Sequence, residues 1–142
     1  MGSFKVIEHT ADIAVEIGGS DLPDLFRTAA SAWKEAVIGE VNQKEYIELK
    51  LSITGSSIET LLVDFINELN YFLTVKKFFC SEVSILNING KIEESFLDCL
   101  CNGFYIEADE IELKEEIKSV TYHKMNIVKT DAGYSTMIVF DI

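Results

Sequence analysis

The chain has 142 residues, of which 48% are hydrophobic, a length typical of one domain and an apolar content that excludes long disorder. Its 24 acidic and 12 basic residues give a formal net charge of −12. This charge disfavours binding of RNA or DNA over the whole surface and favours a basic protein partner or a cation.

The first predicted elements are a strand and an amphipathic helix. Apolar and polar residues alternate over Asp12–Ile17, which is the period of a half-buried strand, and Gly18-Gly19 ends it. Ser20 or Asp21 can cap the next helix, whose first turn tolerates Pro23. The buried face of this helix is predicted from apolar residues at three- and four-residue steps: Leu22, Leu25, Phe26, Ala29, Ala30, Trp33 and Val37.

A second strand and a second helix follow. Residues Ile47–Ile53 alternate in the same way, and Gly55 closes the strand. Ser56 and Glu59 fit a capping box at the start of a helix of about four turns. The apolar face of this helix comprises Ile58, Leu61, Leu62, Phe65, Ile66, Leu69, Phe72 and Leu73.

The opposite face of the second helix carries two carboxylates, Asp64 and Glu68, one turn apart. Like charges at this spacing repel each other unless a cation or a basic partner lies between them. They therefore indicate either a binding site or a solvent-exposed helix face, and the sequence leaves both open.

The remainder of the chain predicts an antiparallel meander. The predicted strands are Phe79–Ile88, Ile92–Cys101, Ile117–Val128 and Tyr134–Asp141. The predicted turns and breaks are Asn89-Gly90, Asn102-Gly103 and Asp131-Ala132-Gly133. The acidic segment Glu107–Glu116 is expected to be a solvated connection. The whole pattern predicts an α+β fold, with two amphipathic helices packed on one face of a mostly antiparallel sheet.

Three cysteines, Cys80, Cys99 and Cys101, form an odd number without a CxxC spacing, so a disulfide framework is not expected. Buried reduced thiols are the ordinary interpretation, and a soft-metal site is the alternative. A redox role for Cys99 and Cys101 stays open.

The chain has no apolar run of the roughly 20 residues needed to cross a bilayer. Residues Met1–Glu8 also lack the hydrophobic region of a signal peptide. We therefore expect a cytoplasmic protein without membrane contact.

The familiar catalytic motifs are absent: no phosphate-binding loop, no GxGxxG, no GxSxG and no HExxH. His9 and His123 are the only two histidines, and neither accompanies a recognised nucleophile pattern. Hydrolysis through a serine or cysteine nucleophile is therefore not expected.

Carboxylates near both ends of the chain suggest a cation site. The side chain of Asp141 and the terminal carboxylate of Ile142 are adjacent. If the last predicted strand lies beside the first, Asp12 adds a third oxygen ligand of the kind that Ca²⁺ and Mg²⁺ prefer. Strand pairing is not visible in the sequence, so solvated surface acids remain the other interpretation.

Four segments of the chain together resemble the archease family. They occur in the family's order and spacing and span nearly the whole chain: Glu8–Asp12, Leu62–Leu69, Ile117–His123 and Gly133–Ile142. The resemblance implies a single archease-like domain over residues 1–142.

The resemblance implies an accessory protein and not an enzyme. Archeases activate the RtcB-type RNA ligase, which joins 2′,3′-cyclic or 3′-phosphate ends to 5′-hydroxyl ends in tRNA splicing and RNA repair. They promote guanylylation of the ligase's active-site histidine and so allow multiple turnovers. The implied partner is this ligase, with RNA contacted only through it.

The resemblance also implies roles for individual residues. Asp12, Asp141 and the terminal Ile142 match the ligands of a divalent cation, usually assigned as Ca²⁺, with Mg²⁺ also possible. Lys118 matches a lysine that the family needs for activation, and Glu68 falls on an acidic position of the second helix.

Two positions depart from the family pattern. Gly103-Phe104 stands where members carry Gly-Glu, which puts an acidic contribution from that expected loop in doubt. Tyr134 replaces a common tryptophan but retains an aromatic ring.

Two other functions remain as alternatives. A stand-alone divalent-metal-dependent phosphohydrolase would use the same carboxylates. A general chaperone or adaptor protein would use an apolar patch.

Overall fold

The computed structural model describes residues 2–9, 12–41, 44–107, 111–121 and 125–142. Its elements in chain order are β1 (Ser3–His9), β2 (Asp12–Gly19), α1 (Leu22–Val37), β3 (Ile38–Val41), β4 (Ile47–Gly55), α2 (Ile58–Thr74), β5 (Phe78–Asn89), β6 (Ser95–Tyr105), β7 (Ile111–Leu113), β8 (Ser119–Thr121), β9 (Val128–Thr130) and β10 (Gly133–Asp141). The predicted α+β class, with two helices and antiparallel strands, is confirmed.

The strands form three hydrogen-bonded sheets. The largest has the order β1-β2-β10-β8. Strands β8 and β9 share one edge of β10: β8 pairs with its last residues and β9 with its first. A second sheet has the order β4-β6-β5, and β3 pairs with β7 in a third. Every described ladder is antiparallel.

Both helices bury the apolar stripes that the sequence predicts. The rings of Phe26 on α1 and Phe65 on α2 lie 5.7 Å apart, and neither is exposed to solvent. Each fully buried side chain of this size contributes roughly 1.5–3 kcal/mol to folding. Among the residues with described positions, neither helix has the length and apolarity that a membrane span requires.

The start of α1 agrees with the sequence prediction. The Asp21 carboxylate accepts a hydrogen bond from the N–H of Asp24 at 2.8 Å, and Pro23 lies in the first turn. The backbone N–H and the hydroxyl of Ser20 donate to the Asp24 carboxylate, and these bonds lower the pKa of Asp24.

The predicted capping box of α2 is wrong by one residue. Ser57, and not Ser56, is the N-cap, because its hydroxyl accepts from the N–H of Thr60 at 3.1 Å. The Glu59 carboxylate is engaged elsewhere, since it accepts from the N–H of Ile127 at 3.1 Å.

The sequence analysis did not predict three of the observed strands, β1, β3 and β7. β1 is an edge strand, and β3 and β7 have only four and three residues, too few to show an alternating pattern. β7 lies within Glu107–Glu116, so the expectation that this whole segment is a solvated connection is wrong. Pairing with β3 supplies the backbone partners that make it a strand.

Two predicted strands have different bounds. Ile92 is 78% exposed and precedes β6, which begins only at Ser95. Over the predicted strand Ile117–Val128, the structure has β8 and the start of β9, while residues 122–124 lie outside the described ranges.

The predicted break at Asn102-Gly103 is wrong, because β6 continues to Tyr105. Gly103 pairs with Ile47 on one side and Cys80 on the other. A Cβ atom at this position would overlap the backbone carbonyl of Phe79, so the glycine permits the close approach of two strands.

Phe104 therefore lies in a strand and not in a loop. Its side chain is buried, with its ring 5.7 Å from that of Phe79 and 6.2 Å from that of Tyr46. The departure from the family pattern at this position places an apolar ring in the core.

We predict that Gly103→Ala destabilises the protein by about 1–3 kcal/mol, because the added methyl group would overlap backbone. Gly55→Ala is the matched control, since its Cβ would meet its nearest neighbour at 3.5 Å. Urea midpoints measure the difference, and equal midpoints for the two variants would contradict the proposed close approach.

Candidate functional site

The pairing of β2 with β10 places Asp12 directly opposite Asp141. The preceding pair in this register, Ile13 and Phe140, is buried in the core, so alternation places the two aspartates on the outer face of the sheet. Directly opposed residues in antiparallel strands have Cβ atoms about 4.5–5.5 Å apart. The structure thus brings together two carboxylates from opposite ends of the chain.

The segment leading into β8 adds a cationic residue to this row. Ser119 is the register partner of Asp141 on the other side, and the N–H of Lys118 donates to the carbonyl oxygen of Asp141 at 2.8 Å. The Lys118 side chain is exposed. We call Asp12, Lys118, Ser119, Asp141 and Ile142 the sheet corner.

Ile142 anchors the end of this row. Its side chain is half-buried and packs against the hydrophobic core, directly after the last residue of β10. This packing restrains the backbone of residue 142 at the end of β10.

The sheet corner offers oxygen donors for a cation. Across the described ranges, no three His, Cys, Asp or Glu side chains are placed to hold a metal ion. Asp12 and Asp141 supply two carboxylates, and a main-chain oxygen of Ile142 or water would have to supply the rest. Since every donor is a hard oxygen and the two like charges face each other, the set fits Ca²⁺ or Mg²⁺ better than a soft metal.

Glu68 lies on α2, in a different element from the residues of the sheet corner. It lines an open groove of about 780 Å³ together with Asp64 and Tyr71 of α2 and residues 51–54 of β4. No residue of the sheet corner lines this groove. The role that the resemblance implies for Glu68 remains a prediction.

Two asparagines that the sequence interpretation missed connect α2 to the sheet corner. Asn70 donates to the carbonyl of Ile117 at 2.7 Å, and Asn67 bonds both the N–H and the carbonyl of Val120. The signal for Asn70 was present, because it falls within the apolar stripe of α2, where a polar side chain needs a buried partner.

The three cysteines are free and buried in the core, as the ordinary interpretation predicts. Hydrogen bonding to Cys101 and burial raise the pKa values of Cys80 and Cys99. These two thiols therefore stay protonated at neutral pH, a state unsuited to nucleophilic attack. The search of the described residues for metal-ligand groups also gives the soft-metal alternative no support.

Several predicted positions lie outside the described part of the structure. They are Thr10 and Ala11 of the first motif, Tyr122 and His123 of the third, and the side chains of Glu8 and His9.

Comparison with known proteins decides the family. Residues 4–142 match the Archease protein family. The chain belongs to the archease family. This confirms the resemblance carried by the four sequence segments.

The similar proteins cover almost the full chain. Archease from Archaeoglobus fulgidus is 31% identical and covers 98% of both chains, and archease from Pyrococcus abyssi is 32% identical over the full length of both.

Solved structures of two similar proteins share the fold. Protein 1598 of Methanobacterium thermoautotrophicum has a TM-score of 0.79 at 26% identity and covers 98% of both chains. An archease from Thermotoga maritima, described as a possible chaperone, has a TM-score of 0.58 at 24% identity. It covers 97% of this chain and 96% of that one, and at this identity the likeness shows the fold alone.

We predict that Asp12→Asn stabilises the metal-free protein by roughly 0.2–1 kcal/mol, because it removes repulsion between directly opposed carboxylates. Urea unfolding in excess EDTA measures this change. Asp131→Asn, at an exposed acid in the turn before β10, is the control and should change the midpoint little. A lower midpoint for Asp12→Asn than for the control would contradict the opposed placement.

Proposed function

We propose that this chain is an accessory protein that activates an RtcB-type RNA ligase. It would promote guanylylation of the ligase's active-site histidine and so support multiple turnover in tRNA splicing and RNA repair. The observation that carries the proposal is the juxtaposition of Asp12, Lys118 and Asp141 at the sheet corner. These three positions come from distant segments, and they are the ones to which the family resemblance attaches activation and cation binding.

The charge of the protein supports docking on a basic cleft. A net charge of −12 speeds encounter with a positively charged partner and orients the two surfaces. Asp12 and Asp141 lie on the face of the large sheet opposite the buried core, so a partner can reach them without displacing either helix.

The Lys118 ammonium is the group we assign to activation. Its side chain is exposed and its backbone is hydrogen-bonded to Asp141, so it can place a positive charge against the phosphates of a nucleotide in the partner's site. Positioned cations stabilise the charge that develops during phosphoryl and nucleotidyl transfer. Asp12 and Asp141, with Ile142, would hold Ca²⁺ or Mg²⁺, which when bound supplies further positive charge at the same corner.

A general chaperone function would use different features. The Thermotoga maritima relative is described as a possible chaperone, and both functions share a protein partner. A general chaperone binds unrelated unfolded proteins through apolar surface and is indifferent to the charge of Lys118. Sensitivity to Lys118 therefore separates the two functions.

We predict that the wild-type protein stimulates guanylylation of the cognate ligase by labelled GTP. Lys118→Met, Asp12→Asn and Asp141→Asn should each reduce this stimulation about tenfold or more. The first removes a positive charge directed at the nucleotide, and the other two remove a carboxylate that would hold the cation. Lys129→Met and Asp131→Asn are matched controls at the opposite end of β10 and should stimulate fully.

Other outcomes of this assay would reject the proposal. Absence of stimulation by the wild-type protein removes the activator function. Phosphate release by the isolated protein that disappears in Asp12→Asn would indicate a metal-dependent phosphohydrolase. Binding of unrelated unfolded proteins, with Lys118→Met and wild type equal in the ligase assay, would indicate a general chaperone.

Without metal, we expect Asp12→Asn to be more stable than wild type. With added Ca²⁺, we expect it to be less stable than wild type. A ligand that binds only the folded state stabilises it by about 2.7 kcal/mol at 100 times its dissociation constant. Wild type should therefore gain thermal stability with Ca²⁺, whereas Asp12→Asn and Asp141→Asn should gain little. Calorimetric titration checks the binding directly, and equal heats for wild type and Asp12→Asn would remove the cation from the proposal.

A further inference from the structure

We propose that Asn67 and Asn70 of α2 are positioning residues for Lys118. The inference rests on the proposed function for the role of the lysine. The placement of the lysine by the two asparagines follows from hydrogen bonds that do not depend on that role.

Asn70 links both helices to the residue before Lys118. It is 6% exposed, and both ends of its amide have partners. The oxygen Oδ1 accepts from the indole Nε1–H of Trp33 on α1 at 3.0 Å, and Nδ2 donates to the carbonyl of Ile117 at 2.7 Å. The backbone entering Lys118 is thus tied to the packed core.

Asn67 holds the backbone on the other side of Lys118. Its Oδ1 accepts from the N–H of Val120 at 2.7 Å, and its Nδ2 donates to the carbonyl of the same residue at 3.2 Å. A residue in a strand normally exchanges such a pair of bonds with a neighbouring strand. The amide of Asn67 therefore replaces a strand neighbour on the outer edge of β8, the last strand in the order of its sheet.

The two asparagines and Asp141 together hold three residues of the segment 117–120. Ile117 and Val120 are bonded from the helix side, and the N–H of Lys118 is bonded from the strand side. β8 has only three residues, so few ladder bonds hold it without this help. The helix thus fixes the backbone of Lys118 while its side chain stays exposed to a partner.

Fixed placement matters for a group that acts on another protein's reaction. A displacement of about 1 Å can cost about a hundredfold in rate when a charge must meet developing negative charge. The asparagines act through the lysine, because they hold the backbone on either side of it. They need no contact with the nucleotide or the ligase.

The test begins with Asn67→Ala and Asn67→Asp, because Asn67 is only half-buried and these variants leave the core intact. Hydrogen exchange at the amides of Lys118 and Val120 should become about tenfold faster in Asn67→Ala. Asn67→Asp keeps the acceptor for the Val120 N–H and loses the donor, so its exchange should be intermediate. Trp33, the only tryptophan, keeps its bond to Asn70, and its emission should be unchanged.

Tyr46→Phe is the matched control. It removes a part-buried side-chain hydrogen bond of 2.9 Å to Ser81 of β5, in the sheet that does not contain β8. Its urea midpoint should be close to that of Asn67→Ala, but exchange at Lys118 and ligase stimulation should equal wild type.

A double variant separates positioning from general stability. Asn67→Ala should reduce ligase guanylylation about as strongly as Lys118→Met, and the double variant Asn67→Ala/Lys118→Met should be no worse than Lys118→Met alone. Residues that act through one group are non-additive in this way, whereas independent structural damage adds.

Asn70 variants give an optical readout of the same connection. Asn70→Asp keeps an acceptor for Trp33 but loses the amide donor to Ile117, whereas Asn70→Ala loses both. Trp33 emission should stay near wild type in the first and shift in the second, with faster exchange at Lys118 in both. If burial of the new carboxylate prevents folding, the Asn67 variants decide the matter.

Three outcomes are distinguishable. Unchanged exchange at Lys118 and Val120 in Asn67→Ala overturns the positioning proposal. Faster exchange with full ligase stimulation also overturns it and leaves Asn67 a purely structural role. If the wild-type protein does not stimulate the ligase, the proposed function fails, and the exchange data still show whether the asparagines fix the lysine.

Discussion

The antiparallel pairing of β2 with β10 is the constraint on which the rest of the structure depends. It joins the second strand of the chain to the last, so most of the chain forms a loop between the two strands. Closing so long a loop carries an entropic cost, which burial of the inward-facing side chains of both strands offsets. The same register that buries Ile13 against the core sets Asp12 beside Asp141, so stability and site geometry share one cause.

Helix α2 connects this pairing to the remainder of the fold. Its apolar face packs in the core, while Asn67 and Asn70 reach the backbone that leads through Lys118 into β8. Among the described residues, no buried side-chain nitrogen or oxygen lacks a hydrogen-bond partner. Satisfied buried polar groups favour one arrangement over its alternatives, because any shift leaves a donor or an acceptor unpaired. Helix α2 is thereby hydrogen-bonded to the backbone on both sides of Lys118.

The distribution of charge suits a protein that acts on a partner. Two opposed carboxylates lie on the outer face of the large sheet near the exposed Lys118, whereas Cys80 and Cys99 are buried thiols with raised pKa values. The sheet corner and the buried cysteines are thus separate parts of the structure.

The sequence alone was enough to predict both helices, the α+β class and the archease resemblance, because these depend on local periodicity and on residues at fixed spacing. It also suggested that Asp12 and Asp141 form a pair, but only on condition that the first and last strands are neighbours. Tertiary structure decided that condition, and it also decided the pairing of β3 with β7 and the continuation of β6 through Gly103. Strand partners and close backbone approaches are contacts between residues distant in sequence, so a local pattern cannot specify them. The hydrogen bonds of Asn67 and Asn70 belong to the same class, since their partners lie on a different element that only the folded chain brings within reach.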